Sequence, residues 1–201
     1  VTRTIKNIQF YFQEGVTWST LSSGNFSARY CAAGFLFDTK GSTCYFDDPS
    51  MIPYCIAYIN GVVATAFLKV LAPTLDFNAG SIARLPVKYD KSRAADIKVL
   101  VDRSISISKN DWDSFETSWD FQRHPLIRKT ATINEAFSQW QQECNDRFNQ
   151  LKANEEELNR IFIDIYGLQD ELTPEVADKD ITVHRIFDTK DEVPESMQGS
   201  S

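Results

Sequence analysis

Apolar side chains recur every seven residues along the stretch TINEAFSQWQQECNDRFNQLKANEEELNRIFIDIYG, at Phe137, Cys144, Leu151, Leu158 and Ile165. Ile133, Trp140, Phe148, Ile161 and Phe162 widen that row into a stripe on one helical face. The interior lacks Gly and Pro and is rich in Glu, Gln, Ala, Leu, Lys and Arg, which lose little freedom in a helix. Thr132 and Glu135 have the spacing of a capping box, and Gly167 follows the last periodic residue, where a left-handed cap is expected. The pattern predicts one long helix over about 132–166, roughly 50 Å at ~1.5 Å per residue. Two readings of it stay open: a long surface helix packed on its own domain, and a spacer that sets the distance between two modules. The polar centre at 154–157 argues against a membrane span. Arg147 and Asn154 interrupt the second apolar row, which favours packing on another helix of the same chain over self-pairing.

A second helix is predicted over 93–108, with Ile97, Leu100, Val101 and Ile105 on one face, as an antiparallel partner for part of the long one. Upstream, 51–71 is strongly apolar; Asn60-Gly61 breaks it into two short helices and Pro73 closes the second. Pro53, that break and Lys69 mark it as a buried core element. Ser81 is placed to cap a short turn through Ile82 and Leu85. The N-terminal part reads as irregular β structure. Residues 8–12, dense in aromatic and β-branched side chains, are expected to be a strand, turned by Glu14-Gly15. Residues 29–31, 34–37 and 44–46 are expected as further short strands, with Gly24, Gly34 and Gly41 between them. The stretch 16–30 is polar and rich in Ser and Gly, with Trp18 and Phe26 expected in the core. Segment 110–127 holds Trp112-Asp113 and Trp119-Asp120, in which the aspartates suit helical caps and the indoles suit burial. Residues 172–175 read as a turn, 181–187 as a short strand, and 188–201 as a frayed acidic tail. The expected fold class is α+β: an irregular β-rich module over 1–91 that carries the short apolar helical segment 51–71, then a helical region over 92–187.

Hydrophobic residues make up 42% of the 201, enough for a core in one domain or two small ones. No secretory leader and no apolar run of spanning length is visible. The net charge of −7 hides an asymmetry: residues 1–110 carry 12 Lys+Arg against 8 Asp+Glu, and 111–201 carry 9 against 20. An acidic total argues against general nucleic-acid affinity, yet a basic first half permits a DNA-facing module on a solvated support. Cys31, Cys44, Cys55 and Cys144 lack C-x-x-C spacing and read as buried free thiols of a cytosolic protein. With only His124 and His184, a His-based metal site is not expected. No G-x-G-x-x-G follows a strand, and neither a Walker loop nor a G-x-S-x-G elbow is present. Asp48-Pro49-Ser50-Met51 lacks the second proline and the stacking aromatic of the D/N-P-P-Y/F motif of amino methyltransferases. Asp47-Asp48 and Glu155-Glu156-Glu157 read as solvated surface. No catalytic residue and no metal ligand is assigned.

Four stretches then carry a likeness: EGVTWSTLSSGNFSARY…GFLFDTKGS, AYINGVVATAFLKVLAPTLDFNAGSIARLPV, DWDSFETSWDFQRHPLI and EEELNRIFIDIYGLQDELTPEV. Together they resemble the C-terminal part of PglX-type proteins, the adenine-specific DNA methyltransferases of BREX phage-exclusion systems. These are also known as type II restriction enzyme methylase subunits. The resemblance implies a piece of a cytoplasmic bacterial enzyme: its target-recognition domain and a helical spacer. The domain that binds S-adenosylmethionine and methylates adenine N6 would lie N-terminal to this region, so no cofactor is expected within the piece itself. The implied partners are double-stranded DNA, the missing methyltransferase domain and other phage-defence proteins, with no membrane. On that reading, exposed hydroxyls and bases of the β module meet DNA, and the candidates are Thr17, Ser22, Ser23, Ser27, Arg29 and Lys40. The alternative is a non-catalytic interaction scaffold of the same defence system, which suits the Trp-Asp segment and the acidic long helix.

Overall fold

The computed structural model describes residues 6–22, 26–38, 40–74 and 76–187. Among them are strands β1 (Gly15–Ser19), β2 (Ala28–Cys31) and β3 (Gly41–Cys44). Five α-helices follow: α1 (Ile52–Asn60), α2 (Val62–Leu71), α3 (Ala79–Ile82), α4 (Ala94–Trp112) and α5 (Ile133–Tyr166). The chain is α+β, as its patterning predicts. It divides into two compact units, 1–101 with 158–173 and 102–157 with 174–201, so both long helices give residues to both.

In the first unit the strands form one antiparallel sheet in the order β2-β1-β3. Along β1, Val16 and Trp18 alternate with Thr17 and Ser19, and the pleat sends the two pairs to opposite faces. Val16, Trp18 and Ala28 are buried. The Trp18 indole N–H donates to the Phe77 carbonyl at 2.8 Å, and the Phe26 ring lies between the two aromatics. α1 packs on β1 and β2 and buries Tyr54, Ile56, Ala57, Tyr58 and Ile59. Its last residue, Asn60, pairs with the backbone of β2 as a neighbouring strand would. Its Oδ1 accepts the Ala28 N–H at 2.7 Å, and its Nδ2 donates to the Ala28 carbonyl at 2.9 Å. α1 and α2 bend by 68° at Gly61, and Asn159 of α5 caps the break by accepting the Val62 N–H at 3.0 Å. Among the described residues no single helix is long and apolar enough to cross a membrane.

Residues 86–90 have no regular structure, so their backbone groups find partners outside any helix or ladder. Tyrosine hydroxyls supply them. Tyr58 and Tyr166 both donate to the Pro86 carbonyl. Tyr54 donates to the Lys88 carbonyl at 2.7 Å and accepts the Asp90 N–H at 3.0 Å. The Tyr58 and Tyr166 rings stack in parallel, and Phe162 meets Tyr54 edge-on.

In the second unit α4 and α5 run antiparallel. Asn154 donates to the Ser104 hydroxyl at 3.2 Å, and Asp111 faces Arg147 at 3.8 Å. Phe148, Leu151, Ile181 and Val183 form a buried cluster against which Ile107 and Val176 pack. The chain after α5 is held there by polar clasps. Lys152 meets Asp178 at 2.6 Å, the Arg185 guanidinium lies 4.8 Å over the Phe148 ring, and His184 Nδ1 lies 2.7 Å from buried Asp111.

The ends of α5 follow the capping signals. The Glu135 N–H donates to Thr132 Oγ1 at 3.1 Å, although the Glu135 carboxylate reaches the Ala131 N–H instead of closing the box on Thr132. Gly167 adopts φ 70, and the Leu168 N–H reaches back to the Ile163 carbonyl, which satisfies an otherwise orphan acceptor. The heptad row is buried from Cys144 to Ile165, while Ile133 is exposed.

Other expectations fail for non-local reasons. Residues 8–12 are no strand: Ile8–Phe10 is a 3-10 turn and Phe12 is left-handed, because Phe10 and Tyr11 pack on Tyr45 and Phe37 instead of entering a ladder. Residues 34–37 are not a strand either, and β3 lies ahead of the expected 44–46. Residues 15–19, within and beside the stretch read as polar and irregular, are the central strand. Asn78, not Ser81, caps α3, accepting the Ser81 N–H at 3.0 Å. Segment 181–187 forms no strand and bends at Val183. Trp112 and Trp119 are exposed, and Asp113 and Asp120 bind Lys109 at 2.6 Å each. Glu155, Glu156 and Glu157 are half-buried, not solvated surface. The four cysteines are free thiols, though only Cys144 is fully buried. Gly24 and the tail at 188–201 lie outside the described residues.

Asn60→Ala strips both Ala28 backbone groups of their partner and should cost about 2–4 kcal/mol of unfolding free energy. A urea titration followed by tryptophan fluorescence measures this. A second expectation concerns pH. Burial, and after it the charges of Asp180 and Glu156, raises the Glu155 carboxyl from 4.5 to about 7. The unfolded chain gives up this proton first, so stability falls as pH rises from about 4.5 to about 7, by at most ~3 kcal/mol. Glu155→Gln should therefore raise the urea midpoint at about pH 8 and leave it nearly unchanged at about pH 5.

Candidate nucleic-acid interface

The sheet face opposite the core is polar by the same alternation that buries Val16 and Trp18. In the register, Thr17 of β1 stands opposite Arg29 of β2 and Thr43 of β3, so one polar row crosses all three strands. Ser19, the next outward residue of β1, accepts from the Arg29 guanidinium at 3.3 Å. Arg29 is exposed, and this neighbour is a hydroxyl, not a carboxylate. Thr17 Oγ1 donates to the Ser42 carbonyl at 3.1 Å, which fixes its rotamer. Lys40 is exposed just before β3, and its carbonyl accepts the Thr20 N–H at 3.0 Å. Asp38 fastens this turn: its Oδ1 accepts the N–H groups of Lys40 and Gly41 at 2.8 and 2.6 Å. Those two bonds hold its carboxyl below the usual carboxylate range.

Close strand approach builds the face. A Cβ on Gly15 would lie 2.5 Å from the Cys44 carbonyl, so only glycine fits where β1 enters the sheet. A shallow depression opens on the face, with Thr17, Thr43 and Cys31 on the sheet side and Phe35, Leu36 and Asp38 on the other. Burial pushes the Cys31 thiol up. Chemically the face offers hydroxyls that both donate and accept, two cations and one ionised carboxylate: a surface for reading polar edges and holding anions. Among the described residues no group of three or more His, Cys, Asp or Glu could hold a metal ion.

The structure brings Thr17 and Arg29 together on one row, with Lys40 at the mouth of β3. Ser22 is half-buried and Ser27 exposed; both lie on the connection from β1 to β2, off the sheet rows. Ser23 lies outside the described residues. Ser19, Thr43 and Asp38 complete the face and were not anticipated. The signal that would have found Ser19 is the alternation Val16-Thr17-Trp18-Ser19, short but regular.

No protein-family model matches this chain. It is 49% identical over 185 residues to the adenine-specific methyltransferase PglX of Lacticaseibacillus casei (strain Zhang), covering 89% of this chain and 15% of that protein. It is 33% identical over 171 residues to the adenine-specific methyltransferase BrxX of Escherichia coli O9:H4 (strain HS), covering 84% of this chain and 14% of that protein. The chain thus spans about one seventh of the length of these curated relatives.

Exposed Arg29 and Lys40 carry no packing, so Arg29→Ala and Lys40→Ala should each move unfolding free energy by less than about 0.5 kcal/mol. Gly15→Ala, which forces β1 off the Cys44 carbonyl, should cost about 2 kcal/mol or more. Urea midpoints of the three variants check the contrast.

Proposed function

We propose that this chain, a relative of the PglX-type adenine-specific methyltransferases of BREX systems, supplies the DNA-recognition part of such an enzyme. On this reading the sheet face meets the major groove of double-stranded DNA, where each base pair presents its own donor and acceptor pattern. Arg29 faces a guanine edge or a phosphate, Lys40 faces a phosphate, and the Thr17, Ser19 and Thr43 hydroxyls read polar edges. Methyl transfer to adenine N6, with S-adenosylmethionine as donor, belongs to the remaining polypeptide. α5, unbroken over 34 residues, suits a spacer between the recognition face and the reaction centre. The place of action is the bacterial cytoplasm. The observation that supports the reading best is the Thr17–Arg29–Thr43 row on the sheet face away from the core, with exposed Arg29 in it and exposed Lys40 at the start of β3.

One observation favours a second reading, a protein-interaction scaffold. Trp119 is fully exposed on a turn that Lys109 ties through Asp113 and Asp120, and that the Ser118 hydroxyl locks onto Asp113 at 2.6 Å. A rigid indole among carboxylates suits a protein pocket with a basic rim, not a polyanion.

A salt titration separates the two. Binding of the 201-residue chain to duplex DNA should weaken steeply with ionic strength. Arg29→Ala with Lys40→Ala should lower the slope of log K against log salt by about 2. No affinity for duplex DNA at low salt, or a slope untouched by the double substitution, sinks the recognition reading.

A further inference from the structure

Residues 7–12 and 33–38 fold against each other beside the polar face. Phe10 stacks on Tyr45 at 5.1 Å, Tyr11 meets Phe37 edge-on at 5.5 Å, and Phe37 lies 5.6 Å from Tyr45. Two backbone bonds join the segments: the Phe12 N–H donates to the Phe35 carbonyl at 3.2 Å, and the Gly34 N–H to the Phe12 carbonyl at 3.0 Å. In the same two segments, three apolar side chains face water. Phe12, Phe35 and Leu36 are 57%, 62% and 60% exposed.

Phe12 is held at φ 64, a region that costs a residue with a Cβ, and the ring so placed is not repaid by burial. Strain combined with exposure points to a partner for the ring. The neighbourhood says which. Phe35 and Leu36 line the same depression as Thr17 and Thr43, so the apolar tip is continuous with the polar row that bears Arg29. Lys40 follows on the turn that Asp38 fastens. Apolar side chains flanked by hydroxyls and cations match stacked bases between phosphates; a purely apolar protein groove has no use for the cations.

We propose that Phe12, Phe35 and Leu36 form a wedge that inserts at a base step of duplex DNA while the polar row engages the groove. The inference rests on the recognition reading above and adds a mechanical role to it. Insertion separates two stacked base pairs, and unstacking eases the extrusion of a base that chemistry on adenine N6 requires.

A wedge binds best where stacking is already broken. By anisotropy at low salt, the 201-residue chain should bind a duplex with a central two-nucleotide bulge about tenfold tighter than the intact duplex of the same sequence. Phe35→Ala with Leu36→Ala removes exposed groups only. It should bring the ratio close to one and leave the salt slope, which the cations set, unchanged. Equal binding of the two duplexes by the unaltered chain overturns the wedge and leaves the recognition reading standing. A bulge preference that survives the double substitution does the same. Failure to bind either duplex overturns the recognition reading itself.

Discussion

Three strands of four or five residues make too little sheet to stand alone in water, and the first unit is organised around covering one of its faces. Val16 and Trp18 fill that side, α1 closes over it, and the Asn60 side chain completes the edge of β2 as a fourth strand would. Once one face is committed to the core, the period of two leaves the other to water. Thr17, Ser19, Arg29 and Thr43 are outward because Val16, Trp18 and Ala28 are inward. The candidate interface is therefore a by-product of the core, held with the precision of the core.

The same economy recurs where regular structure stops. Residues 86–90 have no ladder, and three tyrosine hydroxyls stand in for one. Asn159 caps a helix that begins almost a hundred residues earlier in the chain. In the second unit, Asp111, Lys152 and Asn145 each hold a residue of the segment after α5. At residues 86–90 and at Val62 a side-chain hydroxyl or amide replaces a backbone partner, whereas these contacts after α5 join side chain to side chain. Where it occurs, that substitution gives backbone groups outside helix and sheet a hydrogen-bond partner.

The relationship to PglX and BrxX gives the two units a context. On the proposed reading, a segment aligned to about one seventh of a methyltransferase is one part of a longer enzyme. The exposed features make sense in those terms: a polar, cation-bearing sheet face with an apolar tip in one unit, and a locked, fully exposed Trp119 in the other.

What the residues determined unaided is the helical half. A run of 34 residues with a seven-residue apolar period, a capping threonine and a terminal glycine can do little else, because helix bonds are local and 3.6-residue periodicity shows in any window. The break at Asn60-Gly61 was legible for the same reason, as were the α+β class and the likeness to a methyltransferase family. The candidate face was legible only as a collection of polar residues. Strand pairing is non-local, and nothing near Thr17 in the sequence says that Arg29 and Thr43 will stand on either side of it. The aromatic run at 8–12 looked like a strand until Tyr45 and Phe37 offered its rings a better place, and Glu155 looked solvated until burial beside Asp180 raised its proton affinity. Those outcomes belong to the tertiary structure, because they are set by which distant side chains arrive at the same point in space.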